Sequence, residues 1–289
     1  MKVEQKKIKL KGHETFAIRE GWLSKGMKAV AENPKVFSEM YGADALGVGT
    51  NMAKAIRYWL KAAGLTVEKT GKGVYLSEFG EMVYQHDPYI EEDFTLWCIH
   101  INLAENADLA TVWHLFFQYC EAEEFTREEL EEMMAEEVCR YKGDADFSRR
   151  SLEDDCHVLL QMYGREKLEE IDPEDKKICP LVRLGLLRKN GAVFKRTQPD
   201  FNRFPQEVLL YFLQGIWKEE DAVSMETLYQ KTAKLFGIGM SGYQEYLDGL
   251  AQRGYVDINR TAGLDMIYKK TDMTRVEATK EYYGGKTED

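Results

Sequence analysis

The chain has 289 residues, enough for one large domain or two to three small ones with sizeable cores. With 44% hydrophobic residues it is not a disordered chain, and a net charge of −11 argues against a general nucleic-acid coat. Cys98, Cys120, Cys139, Cys156 and Cys179 lie far apart with no C-x-x-C, which fits reduced thiols in a cytoplasm rather than a disulfide scaffold. No apolar run is long enough to span a bilayer, and the basic start MKVEQKKIKLKGHE lacks the hydrophobic segment of a signal peptide.

In chain order, residues 1–12 read as a Lys-rich edge strand or arm. In GHETFAIREGWLSKGMKAV, residues Trp22, Leu23, Met27 and Val30 take helical spacing, and Asn33-Pro34 breaks the helix. A short second helix is predicted from Pro34 to Tyr41, with Val36, Phe37 and Met40 inward. Gly47 and Gly49 permit a sharp turn through positive φ, and Thr50 is placed to cap the helix that follows. In that helix Ala53, Ile56, Leu60 and Ala63 form the inner stripe, while Asn51, Lys54, Arg57, Tyr58 and Lys61 form a basic, hydrogen-bonding face. Gly64 ends the helix, and GLTVEKTGKGVYLSEFG reads as a hairpin tipped at Thr70 to Gly73. Helix, turn, basic helix and hairpin is the order of a winged helix-turn-helix, whose second helix enters the DNA major groove. Charge follows the same order. From Gly47 to Gly73 the charged residues are Lys54, Arg57, Lys61, Lys69 and Lys72 against Glu68 alone, whereas Glu121 to Glu137 hold nine glutamates and one arginine.

Further helices are expected from Phe79 to Tyr84, through the apolar run Phe94 to Leu103, and from Leu109 to Tyr119. Thr126 and Glu129 form a capping box for an acidic helix from Arg127 to Cys139. Tyr141 to Arg150 reads as a linker, Ser151 as the cap of the next helix, and residues 164–178 as a charged loop. A hairpin around Asn190-Gly191 follows. Pro205 opens the cleanest helix, with Val208, Leu209, Phe212, Leu213, Ile216 and Trp217 as its stripe. Ser224 caps another helix, a turn at Gly237 and Gly239 repeats the earlier one, Ser241 to Arg253 is helical, and residues 255–269 form a hairpin. The tail from Thr271 is charged and expected to fray. The fold class that results is mainly α: a winged-helix DNA-binding module over 1–90, a helical middle over 91–200, and a winged-helix-like module over 201–289.

The chemistry-bearing motifs are sparse. Phosphate-binding loops and nucleophile elbows are absent. Cys98 and His100, two apart on a helix, face different ways, and no metal site is identified. Glu174-Asp175-Lys176 and Glu153-Asp154-Asp155 are at chance level in a chain with 50 acids. GHETFAIRE is more informative. His13 offers a general base, Glu14 an orienting or metal-holding carboxylate, and Arg19 a bidentate phosphate contact; a capping and salt-bridge cluster explains the same residues. DNA contact is expected from Asn51, Lys54, Arg57, Lys61, Lys69 and Lys72.

Three stretches in order, GHETFAIREGWLSKG, LGVGTNMAKAIRYWLKAAGL and DPYIEEDFTLWCIHINLA, resemble the SspB-like family of bacterial DNA phosphorothioation systems, which is distinct from the stringent-starvation adaptor of the same abbreviation. SLEDDCHVLLQMYG, CPLVRLGLL and TAGLDMIYKK extend the resemblance over nearly the whole chain. His13, Glu14, Thr15 and Phe16 match the family's motif, and Thr50 stands where a basic residue is expected. The resemblance implies nicking of double-stranded DNA before sulfur incorporation, in defence against phage. It also implies a cysteine desulfurase, an ATPase and a sulfurtransferase as operon partners; the sequence itself names no cofactor, and Mg²⁺ or Mn²⁺ is the candidate if the protein is a nuclease. A homodimer and the alternative of a non-catalytic adaptor or transcriptional regulator stay open. So does the question whether this is an enzyme.

Overall fold

A computed structural model describes residues 6–165, 178–218, 220–261 and 264–285. The N-terminal part holds helices α1 (Trp22–Glu32), α2 (Ala43–Leu46) and α3 (Thr50–Ala62). An antiparallel hairpin follows, β1 (Thr66–Lys69) and β2 (Gly73–Leu76), and then α4 (Glu78–His86). Two details fix the hairpin. Ser77 caps α4 by accepting from the Gly80 amide and donates to the Gly64 carbonyl. Gly73 has φ +121°, and any side chain there would meet the Pro34 carbonyl oxygen at 2.2 Å, so only glycine closes this turn without strain.

The centre is α5 (Asp93–Glu105), which buries Phe94, Leu96, Trp97, Cys98, Ile99, Ile101 and Leu103 on all sides. A helix apolar all round belongs in the middle of a core. Around it come α6 (Thr111–Gln118), β3 (Glu124–Thr126), α7 (Arg127–Lys142), α8 (Arg149–Tyr163), β4 (Gly164–Arg165) and the hairpin β5 (Leu187–Asn190) and β6 (Val193–Arg196). The last part is α9 (Gln206–Ile216), β7 (Ala222–Ser224), α10 (Met225–Phe236), α11 (Met240–Gln252), the hairpin β8 (Val256–Thr261) and β9 (Leu264–Lys269), and α12 (Arg275–Gly285). The chain is thus mainly α with small sheets, as expected. No helix among the described residues is long and apolar enough to cross a membrane.

Two of the sheets share one plan. Their strand orders are β3-β6-β5-β4 and β7-β9-β8, and in each the short strand ahead of the second helix pairs antiparallel with the last strand. The stretch read as a helical middle therefore carries a sheet as well. Three-residue strands such as β3 have too few residues to show a period of two, and they form only because the distant β6 offers its free edge.

Other departures have local causes. Pro34 to Tyr41 is a series of turns rather than a helix: Val36 and Phe37 are buried as expected, but Met40 is 63% exposed. The Asn33 side chain accepts from the Lys35 amide, a local alternative to helical bonding. Gly49, not Thr50, occupies the cap position of α3, with φ −65°, while Gly47 takes the left-handed turn at φ +62°. Gly237 and Gly239 repeat this pair at φ +65° and −76°. Ser148 caps α8 in place of Ser151, and the ends of the expected linker belong to the flanking helices, Tyr141 and Lys142 to α7 and Arg149 and Arg150 to α8. The arm at residues 6–10 forms no strand, its Lys9 amide bonding instead to Thr111. Over Arg275–Gly285 the tail does not fray. It is helix α12, packed on α4 and α9, with Ala278 and Tyr283 buried and Tyr282 stacked on Phe94 at 4.1 Å. The Glu174-Asp175-Lys176 cluster lies outside the described residues.

Candidate nucleic-acid interface

Helix α3 is gripped at its C-terminal end. Its last turn follows the Schellman pattern, with Gly64 at φ +74°, its amide on the Lys61 carbonyl and the Leu65 amide on Leu60. The next carbonyls, Ala62 and Ala63, accept from the Asn106 and Asn102 side chains of the α5 region, which satisfies groups that a helix end otherwise leaves to water. Ala53, Ile56, Trp59 and Leu60 are fully buried. Asn51, Lys54, Arg57 and Lys61 remain outward. Tyr58 does not belong to that face: its hydroxyl is buried, donates to the Leu109 carbonyl at 2.6 Å, and burial pushes its pKa up.

The outward cations are arranged rather than free. Glu68 of β1 accepts from Arg57 Nη2 and from Lys61 Nζ, each at 2.8 Å, and the Lys61 bond, then Arg57, holds its carboxyl below the ordinary range against a partial burial penalty. Helix and hairpin are tied together by this bridge. Arg57 also sits 5.8 Å over the Phe37 ring, and Lys69 4.7 Å over Tyr75. A cleft of about 380 Å³ between residues 34–38, Arg57 and the hairpin is lined by Lys35, Arg57, Lys69 and Lys72 against the single acid Glu68.

The GHETF turn lies at the other end of this face. A general base must be open to its substrate, but the structure buries His13 completely. Its Nδ1 accepts from the Thr15 amide, which leaves the ring hydrogen on Nε2, donated to Asp155 of α8 at 2.8 Å. The same carboxylate oxygen accepts from the Lys11 amide, and burial pushes the Asp155 carboxyl up against the pull of His13. The imidazole lies parallel to Trp59, 5.5 Å away, and edge-on to Trp113. His13 thus pins the turn to two helices and cannot itself touch a substrate. Glu14 does reach the surface, 3.9 Å from Lys54. Arg19 is half-buried, lies over Phe16 and Trp22, and pairs with no carboxylate among the described residues; nothing joins it to Glu14.

Backbone strain singles out this end of α3. Six non-glycine residues among those described take positive φ. Five of them, Lys11, Glu14 and Thr15 in one loop and Met40 and Tyr41 in another, belong to segments that meet at Lys54. Lys54 sits between Glu14 and the Tyr41 ring, 4.8 Å away. Each such residue costs on the order of 1–2 kcal/mol and persists only where the surroundings over-determine it; such residues cluster at functional sites. Nothing in the sequence around Thr15 or Tyr41 signals a left-handed backbone, so sequence reasoning missed this feature.

Comparison of the last α-helix before each hairpin isolates α3. Helix α8 turns Arg149, Arg150, Glu153, Asp154, His157 and Gln161 outward or half-outward, with Arg149 bound to Glu132 and Glu153. Helix α11 exposes Gln244, Glu245 and Gln252, with Asp248 half-exposed. Only α3 of the three carries an excess of cations. Among the described residues no three His, Cys, Asp or Glu side chains converge as metal ligands. Cys98, Cys156 and Cys179 are buried, and burial drives all three thiol pKa values up, that of Cys179 to about 12, so none is primed as a nucleophile.

Fold and surface together define a mainly α protein with three small sheets among the described residues, one of which completes a basic helix-and-hairpin face. The chain belongs to a family described as "Protein of unknown function (DUF4007)", whose pattern matches residues 10–283. No curated protein matches the sequence. Among solved structures, two described as "Magnesium ion-bound SspB crystal structure" and "SspB crystal structure" share its fold, with TM-scores of 0.82 and 0.81. Each is 23% identical and covers 95% of this chain and 88% of its own. The resemblance read from the motifs is therefore matched at the level of the fold.

Proposed function

We propose that the protein is the DNA-binding component of a bacterial DNA phosphorothioation system and that it nicks duplex DNA before sulfur is incorporated. In this reading the N-terminal part is a winged helix-turn-helix. Helix α3 lies in the major groove with Asn51, Lys54, Arg57 and Lys61, and the wing residues Lys69 and Lys72 hold the backbone. One observation carries it: of the three helices that precede a hairpin, α3 alone presents an excess of cations outward, and the strained backbone gathers at its N-terminal end. The helix–strand–helix–helix–hairpin order of the last part supports reading it as winged-helix-like as well. A desulfurase, an ATPase and a sulfurtransferase would be the partners, or a second copy of this chain.

The chemistry is assigned to the GHETF turn. Glu14 is the exposed carboxylate, Lys54 the cation beside it, His13 the buried positioning residue, and Arg19 a further phosphate contact. A carboxylate that takes a proton from the attacking water contributes roughly 10²–10⁴-fold. A fully protein-built metal cage does not fit these residues, but Mg²⁺ characteristically takes only one or two carboxylates besides phosphates and water, so a single Glu14 facing a DNA phosphate fits it. Bound there, the ion would offset charge at the phosphate.

The test is conversion of supercoiled plasmid to open circles with Mg²⁺ or Mn²⁺, alone and with the operon partners. Glu14→Gln is expected to slow nicking about 100-fold with DNA affinity retained. Nicking by Glu14→Gln and Lys54→Ala at the wild-type rate would place the site elsewhere. A wild type that binds but never nicks would favour the adaptor.

A further inference from the structure

Met40 and Tyr41 are the most unusual pair on the surface. Both are large and apolar, 63% and 45% exposed, and stand side by side on left-handed backbone at φ +45° and +55°. Gly42 follows at φ +77°, where a side chain would meet the Val36 carbonyl oxygen at 2.9 Å. Three consecutive left-handed residues turn the chain so that neither side chain can fold back onto Val36 and Phe37, which are buried just before them. The periodicity of this stretch puts Met40 in the core. The fold spends backbone strain to put it outside.

The surroundings say what such a projection meets. The loop runs beside α3: its Phe37 lies under Arg57 and its Tyr41 under Lys54. The apolar pair therefore stands at one end of the cationic strip that continues through Arg57 and Lys61 to Lys35, Lys69 and Lys72 in the cleft. A protein or lipid partner would be met by an apolar patch, and this patch is two residues wide with cations on its flank. A polyanion with apolar faces between its charges fits better. Nucleic acid has that chemistry, since base pairs expose stacking surfaces once two of them are separated.

The geometry points to Met40 and Tyr41 as a wedge that enters between adjacent base pairs, or stacks on a base already unstacked, while the α3 cations hold the flanking phosphates. Methionine is among the residues that unstack base steps in this way, and an aromatic ring stacks on any base. Left-handed backbone holds the wedge out before binding, so little ordering cost is left for the encounter. The wedge also suits a nicking site, because it opens the duplex next to Glu14 and Lys54. This inference rests on the duplex-binding reading of α3.

Binding is measured by fluorescence anisotropy on two end-labelled duplexes of one sequence, one fully paired and one with a central mismatch, together with end-to-end energy transfer as a readout of bending. Wild type should prefer the mismatched duplex about tenfold, because unstacking there is already paid for, and should bend the paired one. Met40→Ala/Tyr41→Ala should lose the preference and the bend, and about 5- to 100-fold in affinity, while its salt dependence stays that of wild type. Tyr41→Phe, which keeps the ring, should behave as wild type. Thermal melts of all variants should coincide, since both side chains are exposed. Wild type that binds paired DNA with neither bend nor preference overturns the wedge and leaves the DNA-binding face standing. A Tyr41→Phe variant as impaired as the alanine pair also overturns it, because the hydroxyl would then be the active part. Failure of wild type to bind either duplex removes the face and the wedge together.

Discussion

The clearest quantitative test is Glu68→Gln. Glu68 is one carboxylate held by two of the cations proposed to contact DNA, Arg57 and Lys61. Every phosphate neutralised by Lys or Arg adds roughly 0.9 to the magnitude of the slope of log affinity against log salt. If Lys54, Arg57, Lys61, Lys69 and Lys72 all reach phosphates, the slope is about 4.5; if Glu68 keeps Arg57 and Lys61, it is about 2.7. Between about 50 and 200 mM salt these figures mean a loss of roughly 500-fold against roughly 40-fold in affinity. The carboxyl lies below its ordinary range because Lys61 bonds to it and Arg57 adds to the effect, so the bridge is fully ionised at neutral pH. Wild type is therefore expected near the lower slope. Glu68→Gln keeps the shape, removes the charge, and should move the slope toward the upper figure with tighter binding at low salt. Anisotropy of a labelled duplex titrated with KCl reads both quantities. A Glu68→Gln slope equal to or below that of wild type would refute the competition. A slope unmoved by removing Lys54, Arg57 and Lys61 together would refute the face.

Two predictions concern stability. His13→Ala should cost about 3–5 kcal/mol in urea unfolding, since it leaves the buried Asp155 with the Lys11 amide alone, whereas Asp155→Asn keeps an acceptor for both donors and should cost less; the reverse order would refute the pin. His100 is fully buried, donates from Nε2 to the Leu235 carbonyl at 2.8 Å and accepts from Tyr163, and burial lowers its pKa from 6.5 to about 4. Above pH 6.5 the ring is neutral in both folded and unfolded chains. As pH falls from 6.5 to 4 only the unfolded chain takes the proton, so stability should drop by about 3 kcal/mol over that window and level off below it. His100→Gln should flatten this part of the stability–pH curve, and an unchanged curve would show that another group is responsible.

The sequence determined by itself whatever is settled within a few residues. Caps at Thr126 with Glu129 and at Ser224 were legible because the capping oxygen and its amide are three residues apart. The same holds for the turns at Gly47, Gly64 and Gly237, for the hairpins near 66–76 and 255–269, and for the stripe of α3 with its run of cations. Tertiary structure alone decided what depends on distant partners. His13 looked like an exposed base because its local neighbours are polar; it is buried because Asp155, 142 residues away, and the indoles of Trp59 and Trp113 enclose it. Met40 fits an inward helical position by spacing, yet it is turned outward by three left-handed residues that no local pattern announces. The tail looked loose because its sequence is charged. It is ordered because Arg275 pairs with Glu105, 170 residues away, and because Tyr282 and Tyr283 find Phe94 and His86. The cations of α3 were visible from the start. Their bridge through Glu68 and the strained loops at Lys54 came only with the packing of α3 against the hairpin and the two loops.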